Sequence, residues 1–295
     1  MLTKFFQKQL MMRKVLYSLI PIFIYSIYLH GLKFLISTIF IFLFGSITEY
    51  FFTKIQNKKI SEAVLVSCAL YALSIPPYAP IWISSIGIIF GITFAKMVFG
   101  GFGRNIFNPA IAARLFVYIS FPVAFNSYTL DTAVGATPLS IFRNGYTFSK
   151  IRLFLGNYLG TFGETSTLLI ILAAIYLIYT KTANWKLMFS TLLSFSILNS
   201  IFYFTNIINI DPLSSIFAGS FLFVIVFMVT DPVTAPKQKL SIWLYGTLIG
   251  LSISLIRTFS LFPEGTSFAI LLGNSFAPLF DEFSKKIKER KEAKA

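Results

Sequence analysis

Residues 131–140 read DTAVGATPLS, a polar, glycine-punctuated decapeptide in a chain otherwise made of apolar blocks. The Thr137 hydroxyl is a group that can be esterified. Gly135 and Ala136 beside it leave room for something bulky to approach the backbone, and Pro138 keeps a helix from running through the position. The combination points to a covalent attachment site.

A second set of chemically able residues is ionisable and lies in or beside apolar runs: Glu49, Glu62, Arg114, Glu164, Asp231 and Asp281. Each costs roughly 2.5–3.5 kcal/mol at the centre of a membrane helix, so each carries a functional reading. Glu62 and Glu164 open apolar segments, where a helix dipole also stabilises a plain terminal carboxylate. Asp231 follows an apolar run and precedes Pro232. Freed carbonyls and a carboxylate there suit a hard cation such as sodium, or simple capping around the proline. Asp281 follows Pro278 at the end of the last apolar run and also suits an interfacial position. Arg114 suits either a carboxylate from another helix or a phosphate. Residues 100–105, GGFGRN, lack the Lys-Ser/Thr ending of a nucleotide loop. With Asn108-Pro109-Ala110 following, they read as an unwound stretch at helix depth, fit for a flavin, quinone or ion pocket.

The elements that must position these residues are membrane helices. Apolar residues make up 56% of the chain and charged ones only 12%, in blocks of bilayer-crossing length. The expected fold is an all-α integral membrane protein forming one domain. About ten spans are predicted, at 15–30, 33–53, 61–76, 81–99, 108–124, 165–181, 185–204, 213–230, 240–257 and 266–281. A long extracytoplasmic connection, 125–163, carries Thr137 and folds back on the helix ends, and a basic tail fills 282–295. The first apolar block lacks a small-residue cleavage site and reads as a retained helix rather than a signal peptide.

Charge tests the parse. With the N-terminus inside, nineteen of the 25 lysines and arginines fall on cytoplasmic segments, as the positive-inside rule requires, and both termini are cytoplasmic. The net charge of +14 is then topological, which argues against a nucleic-acid partner. Cys68, the one cysteine, forms no internal disulfide and cannot ligate an iron–sulfur cluster alone; it reads as a core residue. A faint inverted repeat sets spans three to five beside six to eight: Ser61-Glu62-Ala63 answers Gly163-Glu164-Thr165, and Asn108-Pro109-Ala110 answers Asp231-Pro232-Val233. Transporters build sites between such halves.

Six motifs in order carry a family resemblance: Ser74-Ile75-Pro76-Pro77; residues 99–110; Gly135-Ala136-Thr137-Pro138-Leu139; residues 163–167; Thr230-Asp231-Pro232-Val233; and residues 262–265 ahead of 276–281. On these the chain resembles the RnfD/NqrB family, membrane subunits of ion-translocating ferredoxin:NAD oxidoreductase and of sodium-translocating NADH:quinone reductase. The resemblance implies a multi-pass subunit of the bacterial cytoplasmic (inner) membrane, inactive alone, which works with other membrane and peripheral subunits. It implies FMN on Thr137 through a phosphoester made by a flavin transferase, with Asp131 as the acid six positions before the acceptor. Val134 departs from the usual serine or threonine. It implies a second, non-covalent flavin, riboflavin or FMN, for which Gly103, Arg104 and Asn108 are the candidates. It also implies an ion path, for Na+ or H+, through acids matching Glu62, Asp231 and Asp281, and quinone as a further partner. The short N-terminus favours the ferredoxin-linked RnfD type; Arg104-Asn105, residues 163–167 and 276–281 resemble the quinone-reductase NqrB type. A non-redox secondary transporter or channel would use the same inverted repeats and midplane acids, and only the 131–137 element speaks against it directly.

Overall fold

The computed structural model describes residues 6–77, 79–122, 138–143, 146–156, 161–164, 166–260 and 265–292. Helices occupy each predicted apolar range, and three of them, Leu10–Ile55, Trp185–Phe204 and Lys239–Phe259, are long and apolar enough to cross a membrane by length and composition.

The first two predicted spans are the two helices of α1 (Leu10–Ile55), which meet at Gly31, whose φ of 63° and ψ of −148° are non-helical. Only glycine enters that region without strain, so Gly31 makes the turn. Phe23 and Phe34 have ring centroids 5.6 Å apart. Eleven residues of straight helix would separate them by about 16 Å, so the chain doubles back at Gly31. A two-residue parallel pairing of β1 (Phe6–Gln7) with β2 (Ile60–Ser61) ties the N-terminal segment to the start of α2 (Ala63–Ser74).

The fourth range is α3 (Ile81–Phe90) continuing as a π-helix, Gly91–Met97, and the fifth is α4 (Pro109–Ser120). Within the predicted 125–163 connection lie two short helices, α5 (Pro138–Arg143) and α6 (Lys150–Leu155). Leu139, Phe142 and Leu153 bury there with Ala218 in a small core of their own. After α7 (Thr167–Tyr179) and α8 (Trp185–Phe204), the predicted span 213–230 divides into α9 (Pro212–Phe217) and α10 (Phe221–Phe227). Gly219, at φ 68°, sits in the break, and a Cβ there would lie 2.5 Å from the Leu139 side chain. Arg257 stabilises the broken segment: Nη1 donates to Ser215 O at 2.9 Å and Nη2 to Ala218 O at 3.3 Å, satisfying carbonyls freed at the helix end. Its guanidinium also lies 5.5 Å from the ring centroids of Phe195 and of Phe221.

The last elements are α11 (Lys239–Phe259) and α12 (Thr266–Glu292), the latter continuing through Pro278 into the expected basic tail as far as Glu292. Small residues let α11 and α8 approach closely. A Cβ on Gly246 would meet Ser190 Oγ at 1.8 Å, and one on Gly250 would meet Thr191 O at 2.4 Å. Consecutive segments run in opposite directions, so the molecule has two ends. One end gathers Lys14 against Thr180 O, Lys58 against Gly100 O and Asp281 against Lys237 N. The other gathers His30 against Phe162, Lys150 against Asp211 and Ser220 against Thr266.

Candidate functional site

Two broken segments meet against α12 at Asn274, about midway between Thr266 and Asp281. Asn108 is the N-cap of α4, its Oδ1 accepting from Ala110 N at 3.0 Å and Ile111 N at 3.3 Å, with Pro109 in the first turn where a missing N–H costs nothing. The rest of the side chain is free to reach across, and Nδ2 donates to Asp231 Oδ2 at 3.0 Å. Asp231 Oδ1 accepts from Val233 N at 3.0 Å, closing an Asx turn over Pro232. Behind Asn108, its backbone N donates to Asn274 Oδ1 at 3.2 Å, and Asn274 Nδ2 donates to the Tyr245 hydroxyl at 2.8 Å. The Asn108-Pro109 and Asp231-Pro232 motifs, which answer one another in the sequence, therefore touch. Asp231, Asn108, Asn105, Thr230 and Ser67 line a cavity of about 50 Å³. That volume holds a few waters or an ion, which need only about 10–15 Å³ per water.

Lys96, also on the wall of this cavity, belongs to an ion pair that is only half visible in the sequence. Lys96 Nζ donates to Glu49 Oε2 at 2.5 Å and to Ser61 Oγ at 2.8 Å, and Ser61 donates both its N (2.9 Å) and its hydroxyl (2.6 Å) to Glu49 Oε1. Both charged side chains are only 2% exposed. Burial on that scale is tolerable because each of these contacts is charge-assisted. Glu49 stands among the sequence candidates, whereas Lys96 reads from the sequence as a topological charge. Its position inside a predicted span, 81–99, is the signal that marks it.

The remaining acids are each engaged separately. Glu62 does not cap its own helix; its carboxylate accepts from Gln9 N at 2.7 Å and pairs with Arg13 of α1. Glu164 pairs with Arg114 at 3.0 Å, both 5% exposed or less, which answers the choice left open for Arg114 with a carboxylate. Asp281 accepts from Lys237 N at 3.0 Å and Gln238 N at 3.0 Å, closing the N-terminus of α11. Glu62, Asp231 and Asp281 thus occupy three places, and among the described residues no cluster of three or more acids, cysteines or histidines forms a metal site.

Gly103 and Arg104 belong to a turn after the π-helix, where Gly100, Gly101 and Gly103 have φ of 102°, 94° and 85°. Arg104 lines a separate opening of about 400 Å³ together with Lys58 and Lys59. The candidates for a second flavin divide here: Arg104 lines this opening, while Asn108 lines the small cavity.

Asp131, Val134, Gly135, Ala136 and Thr137 lie outside the described residues. Pro138, next along the chain, opens α5, and α5 is held firmly. Leu139 packs against Gly219, and Arg143 Nη2 donates to Arg257 O at 2.6 Å and Ser260 O at 3.1 Å. The segment that follows Thr137 is thereby fixed to the break between α9 and α10 and to the end of α11.

Comparison with known proteins gives this arrangement a family. Residues 4–289 match the model of the NQR2, RnfD, RnfE family. The B subunit of the Na(+)-translocating NADH-quinone reductase of Klebsiella pneumoniae is 36% identical over 265 residues, and that of Azotobacter vinelandii 37% over 262, each match covering 82% of this chain and 64% of the relative. The corresponding Neisseria meningitidis protein is 34% identical over 274 residues, 85% of this chain and 67% of the relative. The chain thus spans about 64% of the length of the first two relatives. A match of this extent to the family model, with relatives above 30% identity, means that the chain belongs to the NQR2, RnfD, RnfE family.

Proposed function

We propose that this protein is the flavin-carrying membrane subunit of an ion-translocating electron-transport complex. The family match over residues 4–289 is the observation that carries the reading. FMN esterified to Thr137 through its phosphate supplies one- and two-electron chemistry, and the chain's own residues hold and orient it. The anchoring of α5 supports a fixed position for a group attached just ahead of it, which electron transfer between cofactors requires. Asp231 with Asn108, beside a cavity of ion size, is the pair we assign to cation handling, because it joins the two broken segments whose relative movement would open or close that cavity. Partner subunits supply the iron–sulfur centres and the nicotinamide chemistry.

The ferredoxin-linked complex, in which this chain would be the RnfD component, is the first reading. The names of the relatives favour a second: the NqrB component of a sodium-translocating NADH:quinone reductase. The proteins that co-purify with a tagged chain separate the two, a multi-cluster ferredoxin-like protein pointing to the former and a flavodoxin-reductase-like protein to the latter.

The flavin reading is tested by co-expressing the chain with a flavin transferase and imaging a denaturing gel. A fluorescent band is expected for the wild type and none for Thr137→Val inserted at the same level. A dark wild-type band beside a fluorescent control would overturn it, as would fluorescence that survives Thr137→Val.

A further inference from the structure

Gly246 packs on Ser190 and Gly250 on Ser194, one turn further along each helix, so α8 and α11 run in the same direction and start at the same level. Both are long and apolar enough to cross a membrane, which places their first turns at a membrane boundary. Lys186 stands in the first turn of α8, and Lys239 opens α11. Rings sit at and just below this level. The centroids of Trp185 and Phe189 are 6.5 Å apart, and those of Phe189 and Trp243 6.2 Å with the rings edge-on, so three rings bridge the two helices. All three are exposed, at 51%, 46% and 37%. Deeper along the same helices the exposed large side chains are aliphatic, Leu193 and Ile197 on α8 and Leu251 and Leu255 on α11. Cation, ring and aliphatic chain follow one another in the order of a phospholipid's phosphate, glycerol region and acyl chains. From Lys186 to Ile197 the helix rises about 16 Å, close to half of a ~30 Å hydrocarbon core and so to the reach of one acyl chain.

Charge selects among lipids. Neither α8 nor α11 contains an aspartate or glutamate, and among the described residues neither Lys186 nor Lys239 takes part in an ion pair. Asp281, which reaches the start of α11, is taken up by the backbone N–H groups of Lys237 and Gln238. Lys186 Nζ lies 5.9 Å from the Trp185 ring centroid, which keeps the ammonium beside the rings. Two such ammonium groups at a membrane boundary attract a headgroup of net negative charge, and the indole N–H groups beneath them can donate to its glycerol oxygens. We propose that the face shared by α8 and α11 binds one anionic phospholipid, its phosphate held by Lys186 and Lys239, its glycerol region against Trp185, Phe189 and Trp243, and its acyl chains along the aliphatic tracks. A helix from a partner subunit would cover those tracks equally well. It would leave both lysines without opposite charge unless it brought acids to the same level, whereas an anionic headgroup carries that charge by its nature.

Tryptophan fluorescence of the full chain in phosphatidylcholine bilayers tests this, with Trp82→Phe removing the third tryptophan, which stands in the first turn of α3. Acyl-brominated phosphatidylglycerol should reach half-maximal quenching at a mole fraction about fivefold or more below that of brominated phosphatidylcholine, the scale that lysines near an anionic lipid surface give. Lys186→Gln combined with Lys239→Gln should remove the difference, and Lys186→Arg combined with Lys239→Arg should keep it. Equal quenching by the two lipids before the lysines are changed would overturn the proposal, as would a preference that survives the glutamine pair. In the assembled complex, a photoreactive phenylalanine analogue in place of Phe189 should cross-link to no protein. A band heavier by the mass of a partner subunit would mean that a protein covers this face, and would overturn the proposal as well.

Discussion

At the scale of single residues, the charged side chains that matter are those the fold has buried in pairs. Lys96 and Glu49 compensate each other at 2% exposure, so removing one leaves the other uncompensated in an apolar interior. Lys96→Met should lower stability by about 3–5 kcal/mol, and the double variant with Glu49→Gln should recover part of it. Thermal unfolding in detergent measures both. One member of this pair is visible in the sequence and the other is misassigned, because lysine counts for topology wherever it stands and the partners are 47 positions apart. Asp231, by contrast, is legible in the sequence. An acid between an apolar run and a proline is conspicuous, and the structure sets it against the one asparagine that the repeat pairs with it.

At the scale of elements, the apolar segments are readable from composition, since each is helical, while their breaks are less so. The span expected over 213–230 divides because Gly219 takes a left-handed turn and Arg257, far along the chain, satisfies the carbonyls it frees. No local pattern announces a distant arginine. Helix contacts give a sharp contrast between two glycines of α11. Gly250→Ala drives its Cβ to 2.4 Å from the backbone oxygen of Thr191 and 2.9 Å from Phe195 N, neither of which can rotate away, whereas Gly246→Ala meets the Ser190 hydroxyl, which can, and only Ser190 Cβ, at 2.9 Å, as a fixed atom. Gly250→Ala should therefore be the more destabilising, by roughly 1–3 kcal/mol as for overpacked cores, read as a lower unfolding temperature in detergent. The clamp between α6 and α9 gives a pH signature. Burial alone would raise the Asp211 carboxyl, but hydrogen bonds from Ser214 and Lys150 outweigh it and hold the group below the usual carboxylate range. A carboxylate lowered in the folded state contributes stability that is present above its ordinary range and lost as pH falls through the lowered value. Proteolysis of the 138–156 region should therefore quicken on acidification in the wild type, and Asp211→Asn should flatten that dependence. The pair is partly exposed, so the effect should stay within about 1 kcal/mol.

At the scale of the whole molecule, the interior and one end divide the proposed work. The interior carries the Asn108–Asp231 junction, the small cavity and the buried Lys96–Glu49 pair; one end carries α5 and the break between α9 and α10. On the proposed function, electron transfer beside α5 is coupled to ion handling at the Asn108–Asp231 junction through the helices between them. The alternative class, a secondary transporter, shares this architecture but needs no electrons. The direct measurement is cation movement in vesicles holding the complex purified through this chain, with and without a matched electron donor and acceptor. Transport is expected only while electrons flow, with Asp231→Asn slowing transport and leaving flavin reduction intact. Cation movement at the same rate without donor or acceptor would contradict coupling.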